Sequence, residues 1–594
     1  MSIKKALLNT KKNNSSVGFS LIEAVLAVSL FSLVLLALIS AIIYGRESIA
    51  LSGIRSRALL IAEEGQEALR NIRDEKFSNL VDGTHGLATT SNQWVLSGTS
   101  DVTDIFTRQI QIGTINGHIK VATTTVTWQP KEGRSGQITL TSYLTQWRRE
   151  RGGMLVYTNR AAVNDRISYR LLDPDTLTWE TVSNTADVDP ASTNKIPRAV
   201  QIYSSVTRTE KIMLSRHFNG SNQYIYAQVW NGSSWGNVVT LSNWGGTNGT
   251  RYLDVQNFSG TYLANGDFMV IFSDNSTTPK FRIWNGSIWS PAPISMQNLS
   301  TNGSGVPNFI VAKVRPGTNE VMAAFFDQSS DTNTMYFNGG VYATANWALH
   351  TRHSAAAPVN TKQLVDFDWS PNNPLVGGLV YSNSGTDVSL NIRIWTANGS
   401  GGGSWSATAN TTNQASRLGA VDIVGRQGAN EFIACDKDAN GTPRIICYES
   451  NFTPAWINPT NQTIAAATQT GIQKSYDLAF KKSGMTALVV YSNNTATPRL
   501  KKYNPATNEW DSVVTNLNPV GATLASVRLI PHPDTDDVMI LLANANAIPD
   551  LYSAVWDGTN NIIFPTPTGK AFTAQGTNGS NLVDFWYDFA WDNF

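Results

Sequence analysis

Five aspartates in this chain share one strand position. Asp254, Asp366, Asp422, Asp477 and Asp588 each lie in a short alternating segment and are followed by an apolar residue: Val255, Phe367, Ile423, Leu478 and Phe589. Alternation places such acids on one face of their strands. Gln201, Val311 and Arg528 occupy the same position in three further segments. A ring of carboxylates can hold a cation or a basic ligand. The competing reading is that each carboxylate accepts backbone hydrogen bonds from a neighbouring element and locks it in place.

Tryptophan pairs form a second set: Trp230 and Trp235, Trp284 and Trp289, Trp395 and Trp405. An indole face suits the apolar side of a pyranose, which makes Trp235 and Trp289 candidate sugar-stacking residues. Flat, large side chains also fill gaps between packed sheets, and that reading stands beside the first. Cys435 and Cys447 have a spacing that suits a disulfide across one hairpin, or a pair of buried thiols. Two cysteines and six scattered histidines build no metal framework. Asp436, Asp438 and Asn440 open like a calcium loop, but Cys447 stands where the closing Glu belongs, so a hairpin loop is the better account. No GxSxG elbow, HExxH helix or phosphate-binding glycine loop occurs. The expectation is therefore a binding protein with no cofactor and no catalytic residue.

The elements that must position these residues repeat. From Gly152 a unit recurs every 51–60 residues or about that, the length range of a four-stranded repeat. Each unit opens with a strand such as 252–257 or 364–369, continues with an apolar strand such as 267–273, and returns in a hairpin ending near Trp. Asn-Gly inside that hairpin favours a tight turn. Charged residues make up only 15% of the chain, while Gly, Asn, Thr and Ser abound, as short strands and polar turns require. Openings fall at about 198, 251, 308, 363, 418, 474, 525 and 585, which describes a β-propeller over 151–594. The unit at 152–183 lacks an opening strand and the terminal WYDFAW lacks everything else. The C-terminal strand is expected to complete that unit, giving eight blades. The WNGSSW-type hairpins resemble those of bacterial propeller lectins, a resemblance that implies glycan binding.

The first fifty residues differ in kind. Residues 1–18 are short and basic and end in Gly18. From Phe19 to Tyr44 the only charge is Glu23. As a helix, those residues reach about 39 Å, more than a bilayer core of roughly 30 Å. A carboxylate inside a spanning helix is costly and marks a function. Gly18, Phe19 and Glu23 match the type IV prepilin family in identity and spacing. The resemblance implies cleavage after Gly18 by a prepilin peptidase, methylation of the new amino group, and pairing of Glu23 with a neighbouring subunit's Phe19 amine. Lys4, Lys5, Lys11 and Lys12 lie in the leader, so its removal takes the formal charge from +1 to −3 and leaves no basic face for nucleic acid.

The apolar stripe continues through Ile54, Leu69 and Ile72. Alternating runs at 104–112, 117–128 and 136–147 follow, so 45–150 is expected to form a pilin-like head: a long helix and a small antiparallel sheet. The sequence thus describes a multidomain protein with leader 1–18, assembly helix 19–44, head and propeller. The expectation is a minor pilin that starts in the cytoplasmic membrane, joins other pilins, and displays its propeller at the cell surface for adhesion or for an extracellular protein or glycan. A secretion pseudopilin, or a propeller hydrolase or lyase, is the alternative.

Overall fold

The computed structural model describes residues 20–593 apart from single residues and short segments, of which 159–165, 246–255, 355–362 and 565–585 are the longest. The chain divides into two compact units, Met1–Arg148 and Arg149–Phe594.

Helix α1 spans Leu21–Glu75 without interruption. Its apolar N-terminal half is exposed along its length, from Leu21 through Ile43. Its C-terminal half buries Ala58, Ala62, Gly65, Gln66, Leu69 and Ile72, the 3–4 spacing of a single helical face. That face packs on a sheet of strands β1 (Gly83–Thr90), β2 (Gln93–Ser97), β3 (Asp101–Thr103), β4 (Phe106–Asn116), β5 (Ile119–Lys131) and β6 (Arg134–Thr145). The order is β2-β1-β4-β5-β6, with β3 on β4. The three expected runs are β4, β5 and β6; the β1–β2 hairpin and β3 were not legible. Small residues let helix and sheet approach closely: a Cβ on Gly65 would lie 2.9 Å from the Thr124 methyl group. Arg108 reaches under the helix, pairing with Asp101 at 2.9 Å and Glu64 at 3.1 Å and donating to the Ile61 carbonyl.

Among the described residues the second unit forms eight successive antiparallel sheets of four strand positions. The inner strands of sheets 1 to 7 are Ile196–Ser204, Phe258–Tyr262, Pro307–Val314, Val365–Trp369, Leu418–Gly425, Tyr476–Phe480 and Leu524–Pro531. Sheet 8 has Tyr587–Trp591 as its inner strand, paired in register with Gly153–Tyr157. The C-terminal strand completes the first unit as expected. Consecutive inner strands touch, and Tyr587–Trp591 touches both Ile196–Ser204 and Leu524–Pro531. This is the architecture of a β-propeller. Second strands such as Phe268–Phe272, Val321–Asp327 and Val538–Asn544 are buried at every residue, because both faces are covered. Hence they read as continuous apolar runs rather than alternations.

Among the described residues the second inner strand is Phe258–Tyr262; the opening expected at 252–257 lies mostly outside them. The sequence of the described strand, FSGTY, carries no acid, and at Gly260 a Cβ would lie 2.2 Å from the Phe268 ring. Asp254 lies outside the described residues.

Cys435 and Cys447 stand directly opposite each other on the second and third strands of sheet 5, and their sulfurs are bonded. Both are fully buried. Replacing both with Ser should lower propeller stability by about 3 kcal/mol, the value for a closed loop of this size. Denaturant midpoints of the pair variant and of the parent check this; an unchanged midpoint contradicts it.

Candidate functional site

Hydrogen bonds between sheets fix which inner-strand residues are equivalent. Asp588 Oδ2 accepts the Ile202 N–H at 3.0 Å, and Ser259 Oγ accepts that of Ala312 at 3.1 Å. Asp366 Oδ2 accepts the Ile423 N–H at 3.1 Å, and Asp477 Oδ2 that of Leu529 at 2.7 Å. Each acceptor thus bonds to the residue just after its counterpart in the next sheet. The shared position is occupied by Gln201, Ser259, Val311, Asp366, Asp422, Asp477, Arg528 and Asp588. All eight line one axial cavity of about 410 Å³.

The structure therefore brings four of the five predicted aspartates together, and three of them, Asp366, Asp477 and Asp588, accept a backbone N–H of the next sheet. It also supplies their counter-charges. Lys474 Nζ lies 3.0 Å from Asp422 Oδ2 and 2.7 Å from Asp477 Oδ1. Arg528 Nη1 lies 2.8 Å from Asp588 Oδ1. Lys313, beside the cavity, faces Asp368 at 3.7 Å. Lys474 and Arg528 thus place internal cations beside three of these carboxylates. Among the described residues no group of three His, Cys, Asp or Glu side chains is arranged to hold a metal.

Burial dominates the electrostatics. It pushes the Asp422 carboxyl up to about 6 and that of Asp477 up to about 7, with Lys474 opposing the rise and a neighbouring carboxylate adding to it, Asp366 for Asp422 and Asp422 for Asp477. Asp366 and Asp588 are raised for the same first cause. Lys474 itself is held well above the usual range, since burial is outweighed by its carboxylate neighbours. Two carboxylates and one ammonium form a coupled group that titrates as a unit.

The tryptophans lie elsewhere, and several of them bind sheet to sheet. Trp235 and Trp289 are half-buried, their rings 5.7 Å from Trp230 and 5.5 Å from Trp284. Trp289 donates its indole N–H to the Asn237 carbonyl of sheet 1, and Trp284 donates to Glu210 of the same sheet. Trp369, Trp456 and Trp591 likewise donate to carbonyls of the preceding sheet, at Lys313, Ala409 and Ile530. An aromatic that packs its face and spends its N–H across the joint is a structural fastener. Of the predicted set, Trp235 and Trp289 do not converge with the aspartates.

Lys474 was missed by sequence reasoning, although its position three residues before Asp477 was a usable signal. The hairpin turns were read too simply. Asn231 is not in the left-handed region; only Gly232 is, at φ +99°. The turn is instead closed by Asn231 Oδ1, which accepts the Ser233 and Ser234 N–H groups at 3.0 and 2.9 Å.

No family model and no curated protein matches the chain. Solved structures similar to it include the Dos1 propeller, at 7% identity and TM-score 0.40, covering 69% of this chain and 97% of that one. The β-propeller domain of the Trilobed protease from Pyrococcus furiosus has 8% identity and TM-score 0.31, with coverages of 61% and 97%. The Aleuria aurantia lectin has 12% identity and TM-score 0.31, with coverages of 63% and 97%. These are likenesses of fold and do not bear on activity.

Proposed function

We propose that the chain is a minor pilin-like subunit, anchored by α1, that presents its propeller outside the cell to bind a protein or glycan ligand. The observation that carries this reading is α1. It is one continuous helix, long and apolar enough to cross a membrane, exposed over that apolar half and buried against a small sheet over the other. A simple membrane anchor has no need to run on for eight further turns into a folded head. The acid expected at its start is present: Glu23 Oε2 accepts the Ser20 N–H at 3.2 Å and caps the helix. Gly18 and Phe19 lie outside the described residues; their processing by a prepilin peptidase belongs to this proposal.

Size limits how the subunit is used. A folded unit of this length has a radius of gyration of roughly 22 Å, whereas packed helices sit 8–10 Å apart, or about that. Propellers on every subunit would collide, so incorporation is sparse or terminal. The test is the amino terminus and its dependence on Glu23. The assembled protein should begin at an N-methylated Phe19. Glu23→Val should leave the chain in the membrane but lower its share of sheared filaments on the order of 100-fold, as loss of an ion pair in an apolar bundle costs about 3 kcal/mol. Unchanged incorporation of E23V, measured by immunoblot, contradicts the assembly role.

A further inference from the structure

The hairpins joining third to fourth strands carry a pattern that the binding reading does not use. In sheets 1, 2, 4 and 5 the turn opens with Asn followed two residues later by Ser or Thr. The triplets are Asn231-Gly-Ser233, Asn285-Gly-Ser287, Asn398-Gly-Ser400 and Asn451-Phe-Thr453. All four asparagines are exposed. In each, Oδ1 is turned inward and accepts a backbone N–H two residues on: Ser233 at 3.0 Å, Ser287 at 3.0 Å, Ser400 at 2.9 Å and Thr453 at 3.2 Å. The Ser233 and Thr453 hydroxyls donate to the same oxygen. Fixing Oδ1 leaves Nδ2 as the outer atom, and among the described residues none of the four Nδ2 groups has a hydrogen-bond partner.

Two other triplets of this kind differ in geometry. Asn219 precedes Gly-Ser221, but its Nδ2 donates to the Tyr224 hydroxyl at 3.0 Å. Asn257 precedes Phe-Ser259 and is buried. The four turns also share one location. With antiparallel strands in fixed order, third-to-fourth turns fall at the same end of every sheet.

We propose that Asn231, Asn285, Asn398 and Asn451 are N-glycosylation sites. Asn-x-Ser/Thr in a surface turn of an exported protein is the acceptor pattern for that modification. The donor class is an oligosaccharide linked to a lipid through pyrophosphate. The Nδ2–C1 bond forms, the C1–oxygen bond to pyrophosphate breaks, the lipid pyrophosphate leaves, and the Nδ2 proton passes to a base of the transferase. Glycans there cover the rim at one end of the propeller and leave the second-to-third strand turns, at the other end, as the open face for a ligand. The inference rests on the extracytoplasmic reading above.

The experiment is peptide mass spectrometry on the full chain purified from its own cells, alongside S233A, S287A, S400A and T453A. These variants keep the asparagine that closes the turn. The expected result is a glycopeptide at each of the four sites, an unmodified Asn257, and loss of one site and one step of gel mobility per variant, with an unchanged protease-resistant core. Unmodified asparagine at all four sites overturns the inference. Antibody against the propeller, applied to intact cells, separates the two failures. A propeller that is labelled but unmodified sinks the glycosylation alone, whereas one that is unlabelled and unmodified sinks the display reading with it.

Discussion

Lys474→Met should destabilise the propeller by roughly 3–5 kcal/mol at pH 8, the penalty for stranding buried charge by removing its partner. The ammonium is the cation shared by Asp422 and Asp477, at 3.0 and 2.7 Å, and the two acids belong to adjacent sheets. Their side chains are only 7% and 13% exposed, so water does little to screen them. Protonation should remove most of the penalty. Both carboxyls are raised in the folded state, to about 6 and about 7, above their unfolded values near 3.9. Between those limits the folded state binds more protons than the unfolded one. The stability these groups contribute is therefore fully present at about pH 4 and is lost as the pH rises through 6 to 7. In K474M the acids rise further, so the variant should approach the parent at pH 5 and fall away at pH 8. Denaturant unfolding at the two pH values reads this directly. An equal deficit at both would mean that Lys474 acts by packing and not by charge.

Ending the chain before Trp586 should abolish the folded propeller. The removed segment is the inner strand of sheet 8, and Trp586, Tyr587, Phe589 and Trp591 are all buried. Four such aromatics bury about 150–250 Å² each. At about 25 cal/mol per Å² that is roughly 20 kcal/mol, beyond the 5–15 or so that stabilise a domain. The deletion also exposes the edge of Gly153–Tyr157, removes the carboxylate facing Arg528, and takes away the Asn593 amide that donates to the Ser205 carbonyl at 2.9 Å. The truncated chain should be degraded or insoluble. A protease-resistant, cooperatively melting product would show instead that seven sheets hold without the strap.

Much of this architecture was legible because strand repeats announce themselves. The apolar second strands and the unpaired segments at 152–183 and 586–591 gave both the propeller and the manner of its completion. The carboxylate positions emerged from alternation alone, since a residue facing the axis is followed by one facing the core. What failed had physical causes. Sheet 2 has Ser259 at the shared position, so the described part of its inner strand carried no charge to find. The neutralisation of the ring was hidden because Lys474 lies just ahead of its strand and reaches Asp422 across sheets. The local spacing to Asp477 could have flagged Lys474, but its reach to Asp422 in the neighbouring sheet is not encoded in any local pattern. The role of Trp289 turned on an indole N–H aimed at the Asn237 carbonyl of another sheet, which spacing cannot show.

We propose that α1 places the propeller on a filament outside the cell. Immunogold labelling with antibody against the propeller, applied to intact cells and to sheared filaments, tests it most directly. The expected result is label on filaments, sparse along them or at their tips. Label confined to the envelope, with bare filaments, would contradict it and point to a secretion pseudopilin.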